Sequence, residues 1–389
     1  MWKHIAANAL TLGVVLVIAV AIGVQIGKSR WVAEGPLAEP VFFEVERGAS
    51  LRTVSRDLAE AGVITSDAIF RIGADYTEQA DLLKFGTYEI PPGASMPEVL
   101  EILTSGAASV FPYSVTLVLR AQGPEIRVRE RVPGEPSPVE VATYVPGVDD
   151  VPAEATALIE RGVPITWRVS VAPGLTSWEV VEGLKAADFL TGEVEVPAEG
   201  ALAPDTYEVA QGSERGALIA RMEEAQERIL AEAWANRAPG LPIETPEEAM
   251  ILASIVEKET GVPEERYTVA GVFTNRLEQG MRLQTDPTVI YGITRGQGGL
   301  GRGIRASELR RETPYNTYVI DGLPPTPIAN PGAESIRAAL NPEETDYVFF
   351  VADGTGGHAF AETLAEHNAN VDRWRDIEAE RAAQETDGG

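Results

Sequence analysis

The chain has 389 residues, with 32 Lys and Arg against 59 Asp and Glu, and a formal net charge of −27. This length predicts about two or three domains, and the charge argues against a nucleic-acid partner because no basic stripe accompanies it. The absence of cysteine excludes disulfides, thiolate metal sites and a cysteine nucleophile. The three histidines are too far apart for an H-E-x-x-H zinc motif. Catalysis is therefore expected to depend on carboxylates, and neither a metal nor a cofactor is predicted.

The N-terminal part of the chain carries one long apolar segment. Residues 5–27 contain no charged side chain, and a helix needs ~20 apolar residues to cross a membrane. Basic residues lie close to both ends (Lys3 and Lys28), so the charges do not decide its orientation. A cleaved signal peptide ending near Ala21 is an alternative, but the apolar run continues beyond that residue and favours an uncleaved anchor. The sequence therefore predicts three consecutive parts: a cytoplasmic N-terminus (1–4), a transmembrane anchor (5–27) and a linker (28–40).

Residues 41–107 have the pattern of a small α+β module. A strand is predicted at 41–45, where the residues are apolar and aromatic, and another at 85–90, where the polarity alternates. One helix is expected after the capping residue Ser50, and another begins at Pro97. These elements suffice for a separate small domain.

An insertion rich in proline follows at 112–164. Two β-like runs, 114–120 and 125–132, lead into a segment with five prolines between positions 133 and 152. Because proline breaks both helices and strand ladders, we predict a hairpin followed by an irregular loop. The favoured interpretation of this insertion is a solvated spacer without chemistry.

Regular α+β patterning resumes at 165 and extends to 375. A strand at 166–171, a helix at 177–187 and a long helix at 214–236 precede the densest motifs. A polar tail is predicted at 376–389. The predicted fold class is therefore α+β, with one N-terminal transmembrane helix, a small module and a larger mixed α+β domain.

A helix with well-defined ends is predicted at 246–259. Thr245 is suited to the N-cap, Pro246 lacks an N–H that would stay unbonded there, and Glu248 completes a capping box. Gly261 lies where a glycine commonly ends a helix. The last turn contains the sequence E-K-E.

Glu259, the last residue of this helix, is predicted to lie on its apolar face. At 100° per residue its side chain falls between those of Leu252 and Ile255. Burial and the negative end of the helix dipole both raise the pKa of such a carboxyl group, as a general acid requires. The alternative is a structural role, with Glu259 at the surface or paired with Arg266 or Arg276.

The next helix is predicted to begin at Pro263 and to end before Gly280, and the segment after it is polar within an apolar context. Gln284, Thr285 and Asp286 offer amide, hydroxyl and carboxylate groups to a ligand that is rich in hydroxyl and amide groups. Asp286 is equally suited to be the N-cap of the turn that follows it. A hydrogen-bonding surface is predicted here, with both interpretations of Asp286 open.

Two further segments supply candidate ligand contacts. Tyr315 and Asn316 lie in a stretch with two tyrosines among polar donors, a composition suited to stacking on sugar rings. His358 follows an apolar strand at 347–351 and a glycine-rich turn at 354–357. It either binds a ligand or closes a hairpin, and the residues alone favour the hairpin.

Several ordered blocks resemble the MltG-type (YceG-like) endolytic murein transglycosylase family. The blocks are ASIVEKET (253–260), VFTNRLEQGMRLQTDPTVIYG (272–292), TPYNTY (313–318), GLPPTPIANPG (322–332) and FVADGTGGHAF (350–360). Upstream, Glu199 and Gly200 with residues 204–207 fit a further block of the family, and 41–107 resembles its LysM-like module. The resemblance extends over roughly 300 residues.

The resemblance implies cleavage of peptidoglycan glycan strands between N-acetylmuramic acid and N-acetylglucosamine. The muramyl 6-hydroxyl attacks in place of water, so the product carries a 1,6-anhydro end. Glu259 matches the second glutamate of the family's E-K-E motif and is expected to act as both acid and base. The expected substrate-positioning residues are Gln284, Thr285, Asp286, Tyr315, Asn316 and His358.

The same resemblance implies a location and partners. The N-terminal helix would anchor the chain in the bacterial inner membrane, with its body, including a catalytic YceG-like domain at 165–375, in the periplasm. The substrate would be nascent strands whose elongation is terminated, and peptidoglycan synthases are the expected protein partners.

Departures from the family pattern keep three competing functions open. The 112–164 insertion is extra, and Ala201, Leu202 and Ala203 replace residues that are often aromatic, which weakens the case for sugar stacking there. The first competing function is a hydrolysing muramidase, which would need a second carboxylate roughly 5–10 Å from the acid, and Asp286 is a candidate. The second is a non-catalytic wall-binding protein, and the third is a scaffold for wall-synthesis enzymes, a role that can coexist with the transglycosylase activity.

Overall fold

The computed structural model describes residues 2–105, 110–161 and 163–387. The ends of the predicted module (106–107) and of the predicted tail (388–389) lie outside the described residues. The fold is mixed α+β, as predicted, and the chain forms two compact units. The first unit comprises Met1–Ser114, Val128–Ala142 and Ala153–Thr166, and the second comprises Val115–Arg127, Thr143–Pro152 and Trp167–Gly389.

The first unit begins with the apolar helix α1 (Trp2–Val32). Its segment Leu10–Val32 is long and apolar enough to span a membrane, with a mean hydropathy of 2.5, and no residue of its most apolar stretch is buried by the described part of the chain. The helix continues through the first residues of the predicted linker, so only residues 33–40 lack regular structure. At its end, the Trp31 ring lies 6.1 Å from the ring of Phe70, measured between centroids.

The rest of the first unit contains the small α+β module. Strands β1 (Val41–Val45) and β2 (Gly86–Ile90) pair antiparallel, in agreement with the predicted strands. The helices are α2 (Leu51–Glu60), α3 (Asp67–Tyr76) and α4 (Met96–Thr104). Ser50 caps α2 as predicted, since its hydroxyl accepts the Thr53 N–H at 3.2 Å, whereas α3 was not predicted. Leu58, Phe70, Ile90, Leu100 and Leu103 are fully buried in a common core.

The proline-rich insertion has more regular structure than the sequence predicts. Strands β3 (Tyr113–Arg120) and β4 (Gly123–Glu130) confirm the hairpin. The prediction of an irregular loop after them is wrong, because β5 (Val139–Tyr144) and helix α5 (Ala153–Glu160) follow. All five prolines lie between these elements rather than within them. Proline therefore limits the length of each element without preventing its formation.

Strand β6 (Ile165–Val171) pairs antiparallel with β8 (Thr206–Val209), with Trp167 opposite Val209. The sheet order is β5, β4, β3, β6, β8. Helix α6 (Ser177–Lys185) follows β6 in the chain. Two short strands, β7 (Leu190–Thr191) and β9 (Ser213–Glu214), form a separate parallel pair. The strand and helix predicted at 166–171 and 177–187 are both confirmed.

The second unit is dominated by helices. They are α7 (Arg215–Ala235), α8 (Pro246–Glu259), α9 (Arg266–Glu278), α10 (Asp286–Thr294), α11 (Ala306–Leu309), α12 (Ala333–Leu340) and α13 (Leu364–Asp387). Helix α8 packs against α7, α9 and α12, and every residue from 249 to 256 is buried. The prediction of a single apolar face is therefore too narrow, because the side chains in the middle of this helix are buried on all sides. A hairpin of β10 (Phe349–Ala352) and β11 (His358–Ala361) precedes α13, which extends into the predicted tail.

Candidate active site

Helix α8 has the bounds that its capping residues predict. The Thr245 hydroxyl accepts the Glu248 N–H at 3.2 Å, and the Glu248 carboxylate accepts the Thr245 N–H at 3.2 Å. The helix ends at Glu259 because Thr260 is extended, with φ −127° and ψ 129°. The buried centre of α8 thus fixes where its last turn lies.

The two glutamates of the E-K-E sequence have different surroundings. Glu257 accepts the Gly332 N–H at 2.9 Å and the Ser335 hydroxyl at 2.7 Å, so it holds the start of α12 against α8. Glu259 instead accepts a hydrogen bond from the Thr285 hydroxyl. Glu257 is therefore bonded to the start of α12, whereas Glu259 is directed toward the polar segment that precedes α10.

Burial raises the pKa of Glu259 above the ordinary value of a glutamate, and the nearby charge of Asp286 acts in the same direction. The Thr285 hydrogen bond and the charges of His358 and Arg276 oppose this rise without cancelling it. Within the described ranges neither Arg266 nor Arg276 forms an ion pair with Glu259. Arg276 donates to the carbonyls of Val348 and Leu283 at 2.7 and 2.5 Å instead. Glu259 therefore retains its proton to higher pH than an exposed glutamate does.

The backbone of Thr285 is held by hydrogen bonds to both its N–H and its carbonyl group. Its N–H donates to the Thr317 hydroxyl at 3.0 Å, and its carbonyl accepts the Thr288 hydroxyl at 2.8 Å. The preceding residue, Gln284, has a φ of 51°, a left-handed conformation that is uncommon for a side chain other than glycine. Its N–H donates to the Thr317 carbonyl at 3.1 Å, and its side chain is exposed. These bonds orient the Thr285 hydroxyl toward Glu259.

Asp286 is the first residue of α10, not its N-cap, which is Thr285. The interpretation of Asp286 as a cap is therefore wrong by one position. Its exposed carboxylate accepts the Tyr318 hydroxyl at 2.7 Å. Burial and this hydrogen bond raise the pKa of Tyr318. Tyr318 was not among the predicted site residues, although it is the second tyrosine of the segment that contains Tyr315.

Tyr315 and Asn316 lie inside the core rather than on the surface. Tyr315 is 7% exposed, its hydroxyl is 2.8 Å from the Thr326 hydroxyl, and its ring lies 5.0 Å from that of Tyr291. Asn316 is 1% exposed, donates to three backbone carbonyls and accepts the Tyr318 N–H at 3.1 Å. The structure thus gives both residues a role in shaping the segment that carries Tyr318. Their direct contact with a substrate stays a prediction.

His358 begins β11, opposite Ala352, so the hairpin interpretation is confirmed. Glu265 holds it with both carboxylate oxygens, one accepting the His358 N–H at 2.8 Å and the other lying 2.7 Å from Nδ1. The ring is therefore fixed through Nδ1, and Nε2 is the nitrogen that is left to act on a ligand. Glu265 was missed by the sequence reasoning, since it lies 93 positions away in the chain.

The arrangement places one carboxyl group of raised pKa beside a hydroxyl, a second carboxylate and a fixed imidazole. Among the described residues no group of three or more His, Asp or Glu side chains is arranged to hold a metal ion. The chemistry that these groups can supply is proton transfer by Glu259 and electrostatic stabilisation by its neighbours.

The sequence is similar to known proteins over most of its length. The sequence matches the model of the YceG-like family over residues 43–373. It is 27% identical over 334 residues to the endolytic murein transglycosylase of Bacillus subtilis (strain 168), covering 86% of this chain and 84% of that protein. It is 28% identical over 339 residues to the endolytic murein transglycosylase of Streptococcus pneumoniae serotype 2, covering 84% of this chain and 57% of that protein.

Among solved structures, a yceG-like protein of Listeria monocytogenes aligns with 85% of this chain and 98% of its own. The TM-score is 0.45 and the sequence identity is 24%. The family match is independent of this alignment and covers most of the chain, including every residue of the site. The chain therefore belongs to the YceG-like family.

Proposed function

We propose that the chain is a lytic transglycosylase that cleaves the β-1,4 bond between N-acetylmuramic acid and N-acetylglucosamine within peptidoglycan strands. The observation that carries the proposal is the carboxyl group of Glu259, whose pKa is raised by burial and which is held by the Thr285 hydroxyl. The names of the Bacillus and Streptococcus relatives support the same activity.

In the first step Glu259 donates its proton to the glycosidic oxygen, and the bond from that oxygen to the muramyl anomeric carbon breaks. The N-acetylglucosamine side leaves as an alcohol. In the second step the muramyl 6-hydroxyl oxygen bonds to the anomeric carbon, and the Glu259 carboxylate accepts its proton. The enzyme returns to its starting state, no water is consumed, and the product has a 1,6-anhydro end.

The neighbours of Glu259 match these two roles. The raised pKa keeps the proton on Glu259 to higher pH than on an ordinary glutamate, which favours the first step. The Thr285 hydroxyl favours the carboxylate that forms as the proton leaves, and it fixes the orientation of one carboxyl oxygen so that the other can face the substrate. We assign substrate positioning to Gln284, Asp286 and His358.

Asp286 stabilises the positive charge that develops on the sugar ring, and the Tyr318 hydroxyl orients its carboxylate. The competing function is a hydrolysing muramidase in which Asp286 activates water or forms a covalent intermediate. Glu259 would remain the acid in that reaction, so the products distinguish the two functions.

We further propose that α1 anchors the chain in the bacterial inner membrane, which its length and composition support. The body would then lie in the periplasm and act on nascent strands near the synthases that extend them, so that cleavage terminates elongation. The module at 41–107 is proposed to bind glycan as LysM domains do. A wall-binding or scaffolding role without catalysis is the function that competes with this proposal as a whole.

The test is digestion of purified peptidoglycan by the full-length chain in detergent, with the products identified by mass spectrometry. Anhydromuramyl ends that disappear with Glu259→Gln are the expected result. Glu264→Gln is the matched control, because Glu264 is an exposed glutamate close to the end of the same helix. Reducing ends, heavier by one water, would establish the muramidase instead. Intact strands in the presence of bound protein would establish the wall-binding function.

A further inference from the structure

Arg276, in the last turn of α9, is a buried cation without a carboxylate partner. It is only 7% exposed, and among the described residues its side chain forms no ion pair with Asp or Glu. Burial lowers the pKa of its guanidinium group, and the charge of Glu259 acts in the opposite direction. A buried, unpaired charge is unfavourable unless hydrogen bonds compensate for it. The bonds of Arg276 therefore show what this charge does in the fold.

The guanidinium group of Arg276 joins two segments that are distant in the chain. Its Nε donates to the Val348 carbonyl at 2.7 Å, and its Nη1 donates to the Leu283 carbonyl at 2.5 Å. Val348 directly precedes β10, which pairs with the strand that begins at His358. Leu283 lies two residues before Thr285. One side chain is thus bonded to both segments that carry neighbours of the catalytic carboxyl group.

The bond to Leu283 fixes the peptide group that precedes Gln284. The carbonyl of this peptide group accepts the Arg276 Nη1–H, and its N–H donates to the Thr317 carbonyl at 3.1 Å. Gln284 is held in the left-handed region, with a φ of 51°, and a residue other than glycine keeps this conformation only where its surroundings impose it. Because Thr285 follows directly, the direction of its hydroxyl depends on these two bonds.

The hairpin side is held by two consecutive residues of α9. The side-chain amide of Asn275 donates to the carbonyls of Thr345 and Tyr347 at 2.6 and 2.9 Å. The guanidinium group of Arg276 also lies 5.6 Å from the centroid of the Phe349 ring, an arrangement in which the ring attracts the cation. The start of the hairpin is therefore fixed against the end of α9.

We propose that Arg276 is a positioning residue of the active site, which uses one guanidinium group to hold the Thr285 segment and the His358 hairpin in place around Glu259. Arginine suits this role because its N–H groups lie in one plane and point toward different acceptors, whereas the lysine ammonium group is a compact point charge. The inference rests on the proposed function, since it assigns Arg276 a part in the same reaction.

Four titratable side chains interact electrostatically with Glu259: Arg276 from α9, Asp286 from α10, His358 from β11 and Tyr318. Asp286 raises the pKa of Glu259, whereas the positive charges of His358 and Arg276 lower it. Arginine stays protonated throughout the pH range of an enzyme assay. Replacing Arg276 by a neutral residue therefore raises the pKa of Glu259 further, and the high-pH limb of kcat/KM should move to higher pH.

Arg276→Lys tests the geometry, because lysine keeps a positive charge but lacks the planar arrangement of N–H groups. The assay is the rate of anhydromuramyl end formation from purified peptidoglycan, with the full-length chain in detergent. We expect kcat to fall roughly ten- to hundredfold, since a misplacement of about 1 Å has an effect of this order. The matched control is Arg228→Lys, because Arg228 is exposed on α7 and pairs with Glu224. A wild-type kcat in Arg276→Lys would overturn the inference.

A double-mutant cycle with Thr285→Val separates positioning from a general structural role. If Arg276 acts through the Thr285 segment, the hydroxyl is already displaced in Arg276→Lys, and its removal has little further effect. Thr285→Val should therefore lower kcat roughly three- to twelvefold in the wild type but less than about twofold in Arg276→Lys. Equal factors in the two backgrounds would show that the residues act independently, which contradicts the inference.

Arg276→Gln tests the charge, with Arg228→Gln as its control. We expect the high-pH limb of kcat/KM to move to higher pH in Arg276→Gln only, and a limb at the wild-type pH would count against the inference. Urea titrations establish whether each variant is folded. If Arg276→Gln does not fold, the cycle with Arg276→Lys decides. Failure of both variants to fold would show that Arg276 serves only the stability of the fold, and the inference would be wrong.

The wild-type chain separates this inference from the proposed function. Anhydromuramyl ends from the wild type, together with equal factors in the cycle, would leave the proposed function standing and remove only the role of Arg276. Reducing ends would mean that the proposed reaction is wrong. The same cycle, measured on reducing ends, would still test Arg276, because Glu259 is the acid in both reactions.

Discussion

Replacing Thr285 by valine removes the hydroxyl that donates to Glu259 while keeping the shape of a buried side chain. The backbone bonds of residue 285 to Thr317 and Thr288 do not involve that hydroxyl and are retained. The change therefore isolates one hydrogen bond to the catalytic carboxyl group. Thr285→Ser, which keeps the hydroxyl, is the matched control.

The size of the effect follows from the two charge states of Glu259. A hydrogen bond to a charged group contributes about 1.5–3 kcal/mol, and about half of this acts when the proton is half transferred. The expected decrease in kcat is therefore roughly three- to twelvefold. The bond favours the carboxylate, so its loss raises the pKa of Glu259 further. Because the acid must be protonated in the free enzyme, the high-pH limb of kcat/KM should move to higher pH.

The assay is the rate of anhydromuramyl end formation between acid and alkaline pH, for the wild type, Thr285→Val and Thr285→Ser. An unchanged rate, or a limb that moves to lower pH in Thr285→Val, would refute the assigned role of this hydroxyl. A serine variant as impaired as the valine variant would show that packing, not the hydrogen bond, matters at this position.

Three further changes test the surroundings of Glu259. His358→Gln removes a charge that favours the Glu259 carboxylate, so the high-pH limb of kcat/KM should again move to higher pH. A limb at the wild-type pH would argue against an interaction between His358 and Glu259. Tyr318→Phe frees the exposed Asp286 carboxylate and should lower kcat by roughly severalfold, with a change in the free energy of unfolding below about 1 kcal/mol in urea titrations. Asn316→Ala removes the side-chain donor of three backbone carbonyls, of which that of Glu308 keeps the Arg311 N–H at 3.2 Å. It should lower the free energy of unfolding by about 1–3 kcal/mol. A loss of stability near zero would mean that the segment rearranges.

The sequence was sufficient where the decisive interactions are local. Helix α8 has its predicted ends because Thr245, Pro246 and Glu248 act within one turn. Glu259 could be singled out because its place at the helix end follows from those bounds. The strands at 41–45 and 166–171 were predicted correctly for the same reason, since their patterns extend over only a few residues.

The missed features depend on contacts between distant parts of the chain. Glu265 becomes a site residue only because the β10–β11 hairpin brings His358 to it. Helix α12 owes its place to Glu257, which binds both Gly332 and Ser335. The burial of Tyr315 and Asn316 likewise requires the packed unit, so a segment that suggested sugar stacking proved to be part of the core.

The contact between Trp31 and Phe70 determines how the end of helix α1 is joined to the small module of the first unit. Trp31 lies against Phe70, and Gly73 has no room for a side chain beside the same ring. If α1 is anchored as proposed, the first unit is joined to the span by a stiff helix end and not by a flexible tether. Tryptophan is also favoured at the boundary between lipid and water. The first unit would then stay at the bilayer surface, where glycan strands are newest, and older layers of the wall would lie beyond its reach.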